Sequence, residues 1–529
     1  MGFRVPPTSV YPIQYSSLKA SMLSAVLAWS LALPLFDPND SCSQVSAKRD
    51  CGFVGIDQDG CQQKGCCWQE SSGGDPWCFY KAEAENNCFV VPLESKVPFD
   101  DGDLDKMRTL FLNNIGVQGT GAVVAAPDNH TPGGSYYYHW ERDGALTMAS
   151  VQDVLPANRS LLEKYAEWVL ARQQMQDPNG IDVRTEPKYE IPSGKPYTGG
   201  WCRPQNDGPG LRAAALIKFA MELLASGKPE DAEYVRSHLW TSNPDDDKNG
   251  GAIRYDLDYI LTGYDSDSCD LWEEVRSQDF FWNRVTMRGA LLTGATFAAK
   301  MGDKKSSTAY GDLANQMSRA LVGHWQGPQG GSSDGGFVYE SSGRKIDGAV
   351  MVGLNHGFDS GLASVFAGPA SEKIASTVEV YNKAFCAEYP VNRDDTAGAV
   401  PGVLYGRYPG DTYAGGNPWV LTTAALAQLL YRAASDASAK TVDNFALQAW
   451  IRALNLSQGT SAKALPKFLA LAADGVLLRL RKHVENDGFH LDEQIDKTTG
   501  RQTSAKDLTW SYAEVLNAML WRGAAYAAI

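Results

Sequence analysis

Positive charge is the first thing this sequence is short of. Its 48 lysines and arginines face 62 aspartates and glutamates, giving a formal net charge of -14 and an isoelectric point near 5.1. Without a basic field to neutralise phosphates, a nucleic acid partner is excluded, and a neutral or cationic partner fits better. Histidine is scarce as well, with seven residues in 529. Long hydrophobic runs are almost missing. The exception is MLSAVLAWSLALPLF, residues 22–36, preceded by Lys19. That run is too short for a comfortable membrane span but suits a signal peptide core, with cleavage after Ala32. The stretch ahead of it is long for a leader, so an uncleaved signal anchor is the alternative. Gly2 does not read as a lipidation site, because Pro6 stands where Ser or Thr is wanted. Residues 1–41 are read as this leader and a linker.

Cysteine is plentiful only in one place. Six of the ten lie between residues 42 and 78, while Cys88, Cys202, Cys269 and Cys386 are scattered. So short a segment cannot bury enough apolar surface to hold itself together, and such density means a disulfide framework. No His lies in that window and no paired CxxC unit occurs, which disfavours zinc. An oxidising compartment follows, and four N-x-S/T sequons, at Asn39, Asn129, Asn158 and Asn455, are compatible with it. Spacing by itself leaves fifteen pairings open for six cysteines.

Strand patterns are few, and from about residue 92 onward the chain reads as helix after helix. Stretches such as RSLLEKYAEWVLARQQMQ, DGPGLRAAALIKFAMELLASG and NPWVLTTAALAQLLYRAAS carry apolar residues at steps of three and four, separated by Gly, Pro, Asn and Asp. About a dozen helices fit this length. Several are apolar almost all round, which predicts concentric layers with an inner helix covered on both sides.

Polar and aromatic clusters sit in the connections: YYYHWERDG, YTGGWCRPQNDGP, CDLWEEV, YGRYPGDTY, HLDEQID and DLTWSY. Glu273 and Glu274 stand side by side after Trp272. Taken alone, such a pair reads as an acidic helix start. Taken together, the clusters resemble a sugar pocket. A pyranose needs hydrogen bonds to its hydroxyls and an aromatic wall, and cleaving a glycosidic bond needs two carboxyl groups in opposite protonation states. A separate stretch, DDDKNGGAIRYD at 245–256, has the outline of a calcium loop but ends in Asp256 where Glu is wanted, and is read as an acidic turn. No metal and no cofactor is assigned.

Two resemblances organise these observations. Residues 42–80, with CGFVG and GCCWQ, resemble the trefoil or P-type module, although Asp57 stands where Ser or Thr is usual. That likeness implies the pairings Cys42–Cys67, Cys51–Cys66 and Cys61–Cys78, and either a glycan-binding or a purely structural module. Residues 92–529, with YYYHWERD, WCRPQNDGPGLRA, DLWEEV, GRYPGDTY, GNPWVLTTAA, DEQID and SAKDLTWSYA in that order, resemble the glucoamylases of glycoside hydrolase family 15. The likeness implies an all-α (α/α)6 barrel that releases β-glucose with inversion from non-reducing ends of α-1,4-linked, and more slowly α-1,6-linked, glucans.

It also implies roles. Glu273 falls on the general acid and Glu493 on the general base. Arg142, Asp143 and Arg407 fall on residues gripping the terminal glucose, Glu274 on a contact to the next sugar, and Tyr136, Trp140, Trp201 and Trp510 on the pocket wall. On this reading Glu273 carries a raised pKa and a proton while Glu493 stays ionised. Departures are Cys202 in place of Gly and Cys269 in place of Tyr, which suggest a Cys202–Cys269 bridge and leave Cys88–Cys386 as a second pair. Gly410 replaces a common acidic residue and bears on chain-length preference. The last motif lies within about twenty residues of the end, which leaves no room for a C-terminal starch-binding unit. A secreted monomer is expected. Action on trehalose or another α-glucoside is the alternative within the family; a non-catalytic secreted glucan-binding protein is the alternative outside it. Non-reducing peptide mapping should recover Cys42–Cys67 and Cys51–Cys66; peptides linking Cys42 to Cys51 would overturn the trefoil pairing.

Overall fold

A computed structural model of the chain describes residues 56–63, 66–71, 76–79, 87–155, 158–241, 251–327 and 336–529. The apolar run at 22–36, Cys42, Cys51, Asn39 and the first half of the 245–256 stretch lie outside these residues.

Among the described residues, twelve helices form the two layers of the main body, and the chain alternates between an outer and an inner position. The outer helices are α1 (Asp101–Asn113), α3 (Arg159–Gln173), α5 (Ala252–Gly263), α7 (Lys304–Val322), α9 (Glu372–Glu388) and α11 (Leu465–Val484). The inner helices are α2 (Glu141–Val154), α4 (Asp207–Ala225), α6 (Phe281–Lys300), α8 (Ala349–Asp359), α10 (Val420–Ala439) and α12 (Thr509–Ala528). Each inner helix packs against the next, and α12 returns to α2, so the six close into a ring. The expected (α/α)6 barrel is therefore present.

Composition explains which helix takes which place. In α10 every residue from Val420 to Ala434 is buried, as a helix covered by two inner neighbours and one outer helix must be. In α7 the buried residues are Ser306, Tyr310, Leu313, Ala314, Met317 and Leu321, one stripe at steps of three and four. Asp303 caps that helix by accepting from the Ser306 amide at 3.0 Å, and Asp100 and Asp103 form a reciprocal capping box on α1. The start of α2 was read from sequence as a connection because ERDG is polar. It is instead the buried first turn of an inner helix, and Gly144 is there for space, since a Cβ would come within 2.3 Å of the His139 ring.

Charges inside the layers are paired. Arg212 of α4 meets Asp256 of α5 at 2.6 and 2.9 Å and Glu141 of α2 at 3.2 Å. Burial pushes the Glu141 carboxyl up, but Arg212 beside it brings it down to about 2. Asp256 is thus committed to an ion pair inside a helix, which removes the last ligand position of the calcium-loop outline. Asn455 is similarly committed: its Nδ2, the atom a glycan would need, donates to the carbonyls of Asn87 and Phe89 at 3.0 and 3.1 Å.

Disulfides join Cys61 to Cys78, Cys88 to Cys386 and Cys202 to Cys269, as expected, and Cys66 and Cys67 are also disulfide-bonded. The small N-terminal module packs through Cys61, Cys66 and Cys78 against Ala397 of the barrel. No described helix is long and apolar enough to cross a membrane. Replacing Arg212 by Met should cost about 3–5 kcal/mol in chemical denaturation, because two buried carboxylates lose their cation; a loss under about 1 kcal/mol would show that the ion pairs are not a structural requirement.

Candidate active site

The amino-terminal ends of the inner helices, and the loops that lead into them, meet around one cavity of about 430 Å³. The strand Tyr138–Trp140 pairs with Lys188–Glu190 and runs directly into α2, so Trp140, Arg142 and Asp143 arrive in consecutive turns of backbone. The loop ahead of α4 brings Trp201 and Gln205. A two-stranded hairpin, Ser268–Cys269 with Arg276–Ser277, carries Trp272, Glu273 and Glu274 in its turn. The loops before α10 and α12 bring Arg407, Tyr413, Trp419 and Glu493, and Trp510 opens α12. All ten residues singled out from sequence line this cavity: Tyr136, Trp140, Arg142, Asp143, Trp201, Glu273, Glu274, Arg407, Glu493 and Trp510.

The acidic pair does not begin a helix. It occupies the hairpin turn, where Glu273 takes φ +66°, a left-handed conformation that a non-glycine residue adopts only under constraint. The constraint is visible. The Asp270 side chain accepts from the amides of Glu274 and Val275 at 2.7 and 3.0 Å, and the Cys202–Cys269 bridge ties the hairpin to the Trp201 loop. The result aims the two neighbours apart.

The Glu273 carboxylate collects four donors. Trp201 and Trp140 donate their indole N–H groups to Oε2 at 2.9 and 3.2 Å. Gln205 and Arg142 donate to Oε1 at 2.9 and 3.4 Å. Glu493 lies on another wall, where Tyr136, Gln494 and Ser504 donate to it at 2.8, 3.1 and 2.5 Å. The Tyr136 and Trp140 rings, 5.6 Å apart, therefore stand between the two carboxyl groups, each bonded to one of them. Burial pushes the pKa of Glu273 up against the pull of Arg142 and Gln205. Burial pushes Glu493 up too, against Ser504 and Tyr136. Both carboxyl groups are thus held above the usual carboxylate range.

The remaining charges are held by one another. Arg142 bonds Gln205 at 2.8 and 3.0 Å and Asp207 at 3.0 Å, and Trp282 donates to the same Asp207 oxygen at 2.8 Å. Arg407 grips Asp411 through two bonds of 2.6 and 2.8 Å and Glu274 at 2.7 Å. Glu274 also takes Tyr408 and Arg344 at 2.5 and 3.0 Å, so it is fixed at the cavity edge, away from Glu273. Trp272 donates to Asp347 at 2.8 Å and walls the cavity with its ring face. Asp143 is pushed up to about 7 by burial, with Arg142 opposing.

Three members went unnamed from sequence. Tyr413 bonds Tyr136 at 2.8 Å, Trp419 lies on the wall 5.3 Å from the Trp272 ring, and Ser504 holds Glu493. Each belongs to a quoted motif, GRYPGDTY, GNPW or SAKDLTW, so position within those motifs was the available signal. Lys188 is a fourth. Its Nζ sits 3.7 to 4.4 Å from the ring centres of Tyr138, Trp140, Tyr197 and Trp201, and burial lowers its pKa to about 8.

Comparison with known proteins matches this geometry to a family. Residues 106–520 match Glycosyl hydrolases family 15, and residues 42–81 match the Trefoil (P-type) domain. The chain is 33% identical to the glucoamylase of Blastobotrys adeninivorans over 463 residues, covering 80% of this chain and 71% of that protein. It is 34% identical to glucoamylase-1 of Schizophyllum commune over 445 residues, covering 78% and 72%. The solved family 15 glucoamylase from Hypocrea jecorina superposes with a TM-score of 0.67 at 31% identity, covering 80% of this chain and 72% of that one. With two enclosed carboxyl groups at the head of a six-fold helical ring, and with matching sequence over most of its length, the chain belongs to glycosyl hydrolases family 15.

Proposed function

We propose that this protein removes terminal glucose from the non-reducing ends of α-1,4-linked glucans, and more slowly from α-1,6-linked ends, by inverting hydrolysis. One observation carries the reading: Glu273 and Glu493 face a single aromatic-walled cavity from separate walls. The cavity floor is made from first turns of inner helices, so a chain end can enter and a chain middle cannot.

In this reading Arg142, Asp143 and Arg407 hold the hydroxyls of the terminal glucose, while Tyr136, Trp140, Trp201 and Trp510 enclose its ring. Glu273 gives its proton to the glycosidic oxygen as the C–O bond breaks. Glu493 takes a proton from the water that attacks the anomeric carbon from the opposite face, so β-glucose leaves and both acids exchange protonation states. Such a pair works at a separation of roughly 6.5–9.5 Å, wide enough for that water. In this reading Glu273 carries the proton and Glu493 is ionised when substrate is bound. Glu274, tied to Arg344, Arg407 and Tyr408, offers its remaining capacity to the second sugar.

The surroundings support a wider reading. The apolar run at 22–36 and the disulfides fit a secreted protein, and the chain is read as a monomer. Trp77 of the trefoil module is 46% exposed and meets Trp68 edge-on at 5.8 Å, a flat face suited to stacking on a sugar ring. Domain limits are read as 42–80 for the trefoil and 92–529 for the barrel.

Incubation with maltooligosaccharides, followed by NMR of the released glucose, should show the β-anomer first; α-glucose, or no turnover, would overturn the assignment. Glu273→Gln and Glu493→Gln should each lower kcat by about 100-fold or more, since acid–base assistance is worth about 10²–10⁴, with binding nearly kept. Glu274→Gln should act mainly on KM. A kcat collapse in Glu274→Gln with an active Glu273→Gln would reverse the roles. Ser504→Ala removes a hydrogen bond that favours ionised Glu493. Its pKa should rise, and the acid-side limb of the kcat/KM profile should move to higher pH by up to about one unit. A limb that stays put would separate Glu493 from the base role.

A further inference from the structure

The barrel holds a second and larger cavity, about 1080 Å³, at the carboxyl-terminal ends of the inner helices. It does not belong to the catalytic pocket. Between the two lies an aromatic layer in which Trp282 meets Trp510 at 6.4 Å and His356 at 5.8 Å. The walls are mostly aliphatic, from Leu146, Leu211, Ile217, Val285 and their neighbours. Its charged groups cancel in pairs: Lys218 with Asp153 at 2.5 Å, and Arg432 with Asp359 at 2.7 and 2.9 Å, while the Arg432 guanidinium stacks 3.9 Å from the Trp521 ring centre.

One acid is left over. Glu514 of α12 is 3% exposed and lines this cavity one turn beyond Trp510. Its Oε1 accepts from the Trp510 indole at 2.9 Å, and among the described residues its other oxygen has no hydrogen bond and the carboxylate no ion pair. Other lining groups also keep unused polar capacity. Asn355 spends its Nδ2 on the Ala425 carbonyl at 2.9 Å and its partnerless Oδ1 is fully buried, as is the partnerless Nε of Arg432. Gln428, 5% exposed, makes no side-chain hydrogen bond among the described residues. His356 is held neutral, since burial lowers its pKa to about 4. Buried polar groups normally find partners, and an unpaired buried carboxylate is costly. An unpaired carboxylate with the Gln428 amide among mostly aliphatic walls suits a ligand that donates, carries positive charge and is otherwise hydrocarbon. A sugar fits poorly, because the walls are mostly aliphatic and the Trp521 ring is already covered by Arg432.

We propose that this second cavity is a binding site for an amphipathic amine, its ammonium head on the Glu514 carboxylate with Gln428 as a further acceptor, and its hydrocarbon body against the aliphatic walls. Nothing in the hydrolytic reaction uses these residues. The pH dependence follows from the groups facing the cavity. His356 stays neutral above its lowered pKa, Lys218 is paired with Asp153 and Arg432 with Asp359, and burial pushes Glu514 up to about 7 against the Trp510 hydrogen bond and the nearby Arg432 charge. The head group therefore loses its counter-charge as pH falls through that value.

Titration calorimetry of the full chain with n-octylamine at pH 8 tests this, with octanoate and octyl glucoside as the anionic and neutral counterparts. One octylamine should bind per chain. Glu514→Gln, which keeps the shape and the acceptor for Trp510, should weaken it about tenfold or more, the loss of one charge-assisted contact of about 1.5–3 kcal/mol. Glu493→Gln should leave the affinity within twofold, and binding should weaken progressively from pH 8 to pH 5. Equal binding to Glu514→Gln, equal affinity for octanoate or octyl glucoside, or no saturable binding would each overturn the proposal.

Discussion

Burying carboxyl groups without giving each of them a cation is the constraint on which this structure turns. Elsewhere in the barrel several buried charges are matched. Arg212 lies between Asp256 and Glu141, and Arg479 is enclosed by the carbonyls of Asn392, Val400 and Pro401. At the head of the ring the matching is withheld. Among the described residues Glu493 has hydroxyl and amide donors but no ion pair, and Glu273 has two indoles, an amide and one distant guanidinium contact of 3.4 Å. Donors of this kind hold a carboxyl group in place while leaving its protonation free to change.

Holding such groups requires rigidity that the loops alone do not possess. Three devices supply it. The inner helices present their first turns, in which Arg142, Asp143, Asp207 and Trp510 are fixed by helical backbone. The Cys202–Cys269 bridge joins the loop bearing Trp201 and Gln205 to the hairpin bearing Glu273, so donors and acceptor sit on one covalently closed unit. Arg407 and Arg344 then converge on Glu274, which keeps the second carboxylate of the pair out of the first one's field. The two adjacent glutamates thereby acquire different surroundings from a single turn, helped by the positive φ at Glu273.

Much of this was readable from the chain. Helical periodicity located α3, α4, α6 and α10 to within a few residues, and the all-round apolar character of α10 anticipated its place between layers. The start of α2 was hidden because its first turn is polar, and it is polar because it belongs to the site. Ordered motifs brought the ten pocket residues together on paper. Tyr413, Trp419 and Ser504 stood inside those same motifs, yet nothing in their spacing said which way they would point.

What the sequence by itself determined is the layered helical architecture and the disulfide-rich module ahead of it, because periodicity and cysteine density are properties of the chain alone; Glu273 and Glu493 were singled out only through the resemblance of the ordered motifs to a family. What only the tertiary structure decided is the environment of each acid. Whether Glu273 meets indoles and Glu493 meets hydroxyls, whether Glu274 turns outward, and whether Glu514 is left without a cation all depend on residues tens to hundreds of positions apart. Electrostatic interactions act through space and are set by burial and distance, and those quantities exist only once the ring has closed.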